Sequence, residues 1–140
     1  MTREQIAARI NEVYAARRAN DPDRCVACFA ENGTFQMATF DDSGQFALPS
    51  VAKQGLAPLL KELTDTWTWT DREDISVVID GLTAAVRYRL RTRHVPTGTD
   101  VETQIMDHIR FNDDLKIVEM VEFLDTAMLE RKAAESDRPV

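Results

Sequence analysis

Two hydrophobic periods run along the chain, and the switch from one to the other divides it. Near the start Ile6, Ile10, Val13 and Tyr14 recur every three to four residues, which places them on one face of a helix. Thr2 with Gln5 three residues on predicts a capping box at its beginning, and the helix runs to about Asn20. Asp21-Pro22 then supplies a cap and a first-turn proline for a short second helix through Phe29, which Glu31-Asn32-Gly33 breaks. Residues 34–40 read as the first strand, "DDSGQFALPS" as a loop or irregular hairpin, and residues 56–66 as a third helix. After that the period is two: residues 67–80, interrupted near "DRED", then 82–94, 101–111 and 116–124. Residues 1–128 form one domain on this reading, and residues 129–140 a polar tail expected to fray. Helices followed by hairpin-linked strands predict an α+β fold, an antiparallel sheet carrying helices on one face.

The strands also predict which side chains share a face. In 82–94 the even positions hold Leu82, Ala84, Val86, Tyr88 and Leu90, and the odd ones Arg87, Arg89, Arg91 and Arg93. In 101–111 the apolar set is odd: Val101, Ile105, Ile109, Phe111, and with them Asp107. Joining apolar face to apolar face requires paired numbers to sum to an odd value, because a one-residue slip inverts a face. A hairpin around "VPTGTD" then sets Tyr88 opposite Asp107 and His94 opposite Val101. A turn at "NDDL" pairs Phe111 with Lys116 and Asp107 with Met120. Asp107 is thus expected in a middle strand, flanked by Tyr88 and Met120, on the side the helices cover. An unpaired carboxylate there costs several kcal/mol, so two expectations follow: a structural aspartate that accepts bonds from nearby backbone or hydroxyl groups, which spacing alone favours, or a carboxyl that keeps its proton and serves as a hydrogen-bond donor.

On the other face the same register sets Arg93 opposite Glu102 and His108 between Arg87 and Glu119, cross-strand pairs worth at most about 1 kcal/mol each. The arginine stripe reads as a solvated or subunit-contacting surface. His94 has inward parity near the end of its strand, which makes it either a plain exposed histidine, the favoured reading, or a residue at a pocket mouth. Phe35, Met37, Trp67, Trp69 and Met120 are large, adaptable side chains that fit plain core, the commoner role, or the lining of an apolar cavity.

Composition narrows the picture. The chain has 140 residues, 44% hydrophobic and 29% charged, enough for one real core. Its net charge of −7 argues against nucleic acid or an anionic membrane as partner. No apolar run suggests a signal peptide or a spanning segment, so a soluble, cytoplasmic protein is expected. Cys25 and Cys28 form "CVAC", but with Phe29 they share one helical face, which favours a core role over a redox one. Two histidines on opposite faces and no cysteine cluster give no metal site, and no cofactor is called for.

"MDHIRFNDDLKIVEM" resembles the penultimate hairpin of bacterial ketosteroid isomerases, with its D-H-x-R-F-N segment, and Tyr14 followed by "DPDRCVACFAENGTF" is similar to the start of that family. More broadly the chain is similar to the nuclear transport factor 2-like superfamily, including SnoaL-like polyketide cyclases. Their closing strand resembles "KIVEMVEFLD", with Asp125 at the place of its last aspartate. The resemblance implies a curved sheet and three helices forming a conical pocket, commonly in a homodimer. It implies that Tyr14 and Asp107 donate to an oxyanion. The family's general base falls on Met37, which cannot take a proton, leaving His94, Asp41 or Asp42 as candidates and making steroid isomerisation itself unexpected. The implied protein binds a small hydrophobic molecule. It is an isomerase, cyclase or lyase acting on a carbonyl or phenolic polycyclic substrate, or alternatively a non-catalytic homodimeric binding or interaction module. Pocket contacts fall to Phe35, Met37, Trp67, Trp69, Tyr88 and Met120.

Overall fold

A computed structural model describes residues 2–38 and 51–135. Its elements are α1 (Arg3–Arg18), α2 (Pro22–Val26), β1 (Phe29–Met37), β2 (Val51–Ala52), α3 (Lys53–Thr66), β3 (Trp67–Asp80), β4 (Thr83–His94), β5 (Thr99–Phe111), β6 (Ile117–Leu124) and α4 (Thr126–Glu135). The expected α+β class is what forms: a curved, unclosed six-stranded sheet in the order β2-β1-β6-β5-β4-β3, with helices against its inner face. The sheet is not wholly antiparallel, however, because β1 lies parallel to β6.

Local chemistry accounts for the element boundaries. The Thr2 hydroxyl accepts from the Gln5 amide at 3.2 Å, and Gln5 Oε1 accepts from the Thr2 amide at 2.8 Å, closing the capping box of α1. Asp21 accepts from the Arg24 amide and caps α2, which ends at Val26, earlier than the sequence suggests. Glu31-Asn32-Gly33 does not stop an element; it forms an irregularity inside β1, where the pairing with β6 shifts between Phe29 and Thr34. Only glycine fits at position 33, since a Cβ there would lie 2.6 Å from the Ile117 carbonyl oxygen. The "DRED" interruption of β3 is likewise a pair of bulges, between Trp69 and Asp71 and between Asp74 and Ser76. The segment expected to fray begins as a helix: the Asp125 carboxylate accepts from the Met128 amide at 3.0 Å and starts α4.

The face assignment of β4 and β5 stands, but the register lies two residues away. Val86, not Tyr88, is opposite Asp107, and His94 is opposite Thr99. The loop is shorter than "VPTGTD": only residues 95–98 turn, with Gly98 at φ +69°, so Thr99 and Asp100 already belong to β5. On the other side Glu122, not Met120, faces Asp107, because a bulge between Arg110 and Phe111 absorbs a residue and Phe111 pairs with Ile117. The outer face changes accordingly. Arg91 is opposite Glu102, Arg93 opposite Asp100, and His108 lies between Ala85 and Val121.

The core is one cluster. Ile6, Ile10, Val13 and Tyr14 of α1 and Leu56 and Leu60 of α3 pack with the inward residues of the strands, among them Val86, Tyr88, Leu90, Ile105 and Ile109. Cys25 belongs to it, and burial pushes its thiol up to about 11, away from redox chemistry. No helix among the described residues is long and apolar enough to cross a membrane, and no described group of three or more His, Cys, Asp or Glu could hold a metal.

Candidate functional site

Alternation along β5 turns Asp107 inward between two strands, and α1 closes over it. The carboxyl has no exposed surface at all. Its Oδ2 accepts two phenol hydrogen bonds, from Tyr14 of α1 at 2.5 Å and from Tyr88 of β4 at 2.9 Å. Tyr88 is two residues along β4 from the direct partner of Asp107, a diagonal that a long aromatic side chain spans. Asp107 Oδ1 has no donor against it. What it faces is Glu122, directly opposite on β6, and the two carboxyls can share a hydrogen bond. Two carboxylates have no hydrogen to put between them, so that bond exists only when one of the pair is protonated.

The electrostatics say which way the balance falls. Burial, first, and then the Glu122 charge and the carboxyl–carboxyl hydrogen bond hold the Asp107 pKa well above the usual carboxylate range. The two tyrosine hydrogen bonds pull in the opposite direction and do not prevail. Burial and the neighbouring Asp107 likewise raise both phenols well above their ordinary value, so Tyr14 and Tyr88 remain donors.

A cation covers this network. The Arg72 guanidinium lies 3.8 Å from the centre of the Tyr14 ring and 4.7 Å from that of Tyr88, and it pairs with Asp74. The first bulge of β3 puts it there: Trp67 and Trp69 face inward on odd positions, and the added residue brings an even position inward next.

Two small cavities adjoin the network. One, of about 40 Å³, is lined by Met37, Trp67, Trp69, Leu90, Thr103 and Ile105 among others; the second, of about 20 Å³, by Tyr14, Phe35, Leu60 and Met120 among others. Arg17, Leu63, Trp69 and Glu122 line both. Each has room for one to a few water molecules. A wider concavity among the described residues, about 500 Å³, is an open groove outside α1 and α2. In it Arg24 pairs with Glu12 at 2.8 Å and Lys116 donates to the Ala27 carbonyl at 2.8 Å.

The structure thus brings together Tyr14, Tyr88 and Asp107, and gathers Phe35, Met37, Trp67, Trp69 and Met120 around the adjoining cavities. It does not bring His94 to them. His94 is buried at the far end of β4, its ring 4.6 Å from that of Trp67 and its Nδ1 2.6 Å from the Thr97 hydroxyl. Eight residues of strand, roughly 26 Å, separate it from Val86 beside Asp107. Asp125 is an exposed helix cap, and Asp41 and Asp42 lie outside the described residues.

Glu122, Arg17 and Arg72 are the polar residues of the site that the sequence reading passes over. Glu122 carried a usable signal, since the alternation that turns Met120 inward turns Glu122 inward too. Arg17 follows Tyr14 by one turn less one residue on the core-facing side of α1, but its charge reads as surface.

Residues 10–120 match the family described as the SnoaL-like domain. The chain belongs to the SnoaL-like family. Solved structures agree on the fold. An NTF2-like protein from Burkholderia xenovorans LB400 is 19% identical, with 95% of this chain and 98% of that one covered and a TM-score of 0.76. A protein of ketosteroid isomerase-like fold from Catenulispora acidiphila DSM 44928, solved with trimethylamine, is 9% identical, with coverages of 94% and 97% and a TM-score of 0.75. An LEH-like epoxide hydrolase from M. tuberculosis is 10% identical, with coverages of 95% and 92% and a TM-score of 0.69. No curated protein sequence matches the chain. Identities this low carry the fold and leave the chemistry to the residues. In this SnoaL-like chain those residues are a buried aspartic acid, two tyrosines and a facing glutamate.

Proposed function

We propose that this SnoaL-like protein is a cofactor-independent enzyme that moves a proton on a small hydrophobic carbonyl or phenolic compound, an isomerase, cyclase or lyase in type. The observation that carries this reading is Asp107: a fully buried carboxyl held by Tyr14 and Tyr88, next to cavities lined by aromatic and aliphatic side chains. Tyr14 lines one of those cavities, and a phenol held in place by a neutral buried carboxyl is a preorganised donor of the kind that stabilises negative charge developing on a substrate oxygen. The cavity volumes favour a one-ring or smaller ligand over a polycyclic one, which would have to displace Trp67, Trp69 or Leu63.

The probe is 4-nitrophenol, whose colour reports its ionisation. Binding to wild type that weakens about tenfold or more in both Tyr14→Phe and Asp107→Leu supports the reading. Wild-type binding that neither substitution changes overturns it.

A second reading, a non-catalytic homodimeric module, is favoured by the outer face, where Met106 and Phe123 are exposed directly opposite one another at 37% and 48%. It predicts no 4-nitrophenol binding, together with a dimer in sedimentation that Phe123→Asp splits. A monomeric wild type excludes it.

A further inference from the structure

Glu122 holds a position that the oxyanion reading alone does not use. On β6 it is the register partner of Asp107 on one side and of Met37 on the other, so it stands at the middle of the sheet's inner face. It is 7% exposed, whereas Asp107 is sealed, and it lines both cavities. With Oδ2 of Asp107 occupied by two phenol donors, the proton of a neutral Asp107 belongs on Oδ1, where it points to Glu122. The hydrogen-bond chain from Tyr14 and Tyr88 through Asp107 therefore ends on the Glu122 carboxylate, and Glu122 is its face toward the cavity.

Arg17 is the other charged residue lining both cavities. Its guanidinium is stacked 4.5 Å from the centre of the Trp69 ring, and Nη1 donates to the Thr64 hydroxyl at 2.9 Å, which fixes its orientation. A guanidinium has five N–H donors in a planar fork suited to a carboxylate. The two cavities thus present a carboxylate base and an oriented cation, with apolar walls between them and room for few atoms.

We infer that Glu122 is the residue that exchanges a proton with the bound molecule and that Arg17 holds its anionic oxygens, which makes the substrate a small enolisable oxo acid. This rests on the proton-transfer reading above and gives it a base and a substrate class. In the step, a Glu122 carboxylate oxygen takes the proton from the carbon beside the carbonyl. The C–H electron pair becomes the carbon–carbon double bond, and the carbonyl π pair moves onto oxygen, whose negative charge is held by Arg17. Returning the proton from Glu122 to the same or another carbon of the enolate restores the carboxylate, and no oxidant, reductant or co-reactant is consumed. The neutral Asp107 is a positioning residue: its hydrogen bond keeps the Glu122 carboxylate aimed.

The test uses 2-oxobutanoate in deuterated water, with loss of its C3 proton signals followed by NMR. Wild type is expected to accelerate exchange over buffer. Glu122→Gln, close in shape, loses about a hundredfold or more in kcat, the scale of general-base catalysis, while Glu122→Asp retains part of the rate. Arg17→Met raises KM about tenfold or more and changes kcat less. Circular dichroism establishes that each variant is folded. Exchange that survives Glu122→Gln, or wild type that binds 4-nitrophenol without exchanging 2-oxobutanoate, overturns the inference and leaves the proton-transfer reading standing. Absence of both activities in folded wild type overturns the two together.

Discussion

Strand β5 sends Glu102 to one side of the sheet and Asp107 to the other, and the two carboxyls meet charge in opposite ways. Glu102 sits half exposed between Arg89 at 3.3 Å and Arg91 at 3.7 Å, and Arg93 lies 3.8 Å from Asp100 in the same stripe. There water and counter-charges do the work together, and each pair is worth little because water already solvates both partners. Five residues along the strand, Asp107 has no solvent-exposed surface and no ion pair among the described residues, and it keeps a proton instead. One side of the sheet neutralises charge by pairing, the other by protonation. Only the second leaves a group whose hydrogen can be given to something else.

The sharpest way to break the contrast is to remove the inner carboxyl. Asp107→Leu leaves two buried phenol hydroxyls without their acceptor, at about 1–3 kcal/mol each, so urea unfolding is expected to show a loss of about 2–5 kcal/mol. Asp107→Asn keeps an acceptor oxygen for both tyrosines and is expected to cost about 1 kcal/mol or less at neutral pH. A larger loss for Asn than for Leu would mean that the tyrosines do not depend on this oxygen.

The next effect is a slope. Asp107 binds its proton more tightly folded than unfolded, so its contribution to stability is fully present below the unfolded carboxyl pKa of about 3.9 and is lost as pH rises through the folded value. From about pH 4 upward wild type is therefore expected to lose stability relative to Asp107→Asn, at up to about 1.4 kcal/mol per pH unit. Parallel stability–pH curves for the two proteins would mean that Asp107 is ionised.

The smallest effect belongs to the outer face. Glu102→Gln is expected to change stability by about 1 kcal/mol or less, and 1 M salt should erase the difference. A salt-resistant loss would show that the stripe is covered in solution.

What was legible in the sequence was the side on which each residue stands. Period-two alternation in β4 and β5 is unambiguous because four arginines occupy one parity and the apolar residues the other, and this alone places Asp107 inside. Register was not legible to better than two residues. It depends on whether Thr99 and Asp100 turn or pair, and on a bulge at Phe111 that no local composition announces. That slip hid the most telling neighbour: Glu122 faces Asp107 where Met120 was expected. The bulges of β3, which bring Arg72 over the tyrosines, have no periodic signature either, because each breaks the pattern from which faces are read. The parallel union of β1 with β6 was equally invisible, being a contact between distant parts of the chain.

That union has a kinetic consequence. β1 is made early in synthesis, yet among the described residues its sheet partners are the two-residue β2 and the much later β6. Contacts between such distant segments close a long loop before they return any stabilisation, which slows their formation. Met37 must wait for Glu122 to be translated, and Tyr14 for Asp107. A ribosome-bound chain stopped short of β6 can pair β3, β4 and β5 among themselves, but β1 then has no long partner strand and the inner wall is missing its glutamate. The part of the molecule that carries the candidate site is the part assembled last.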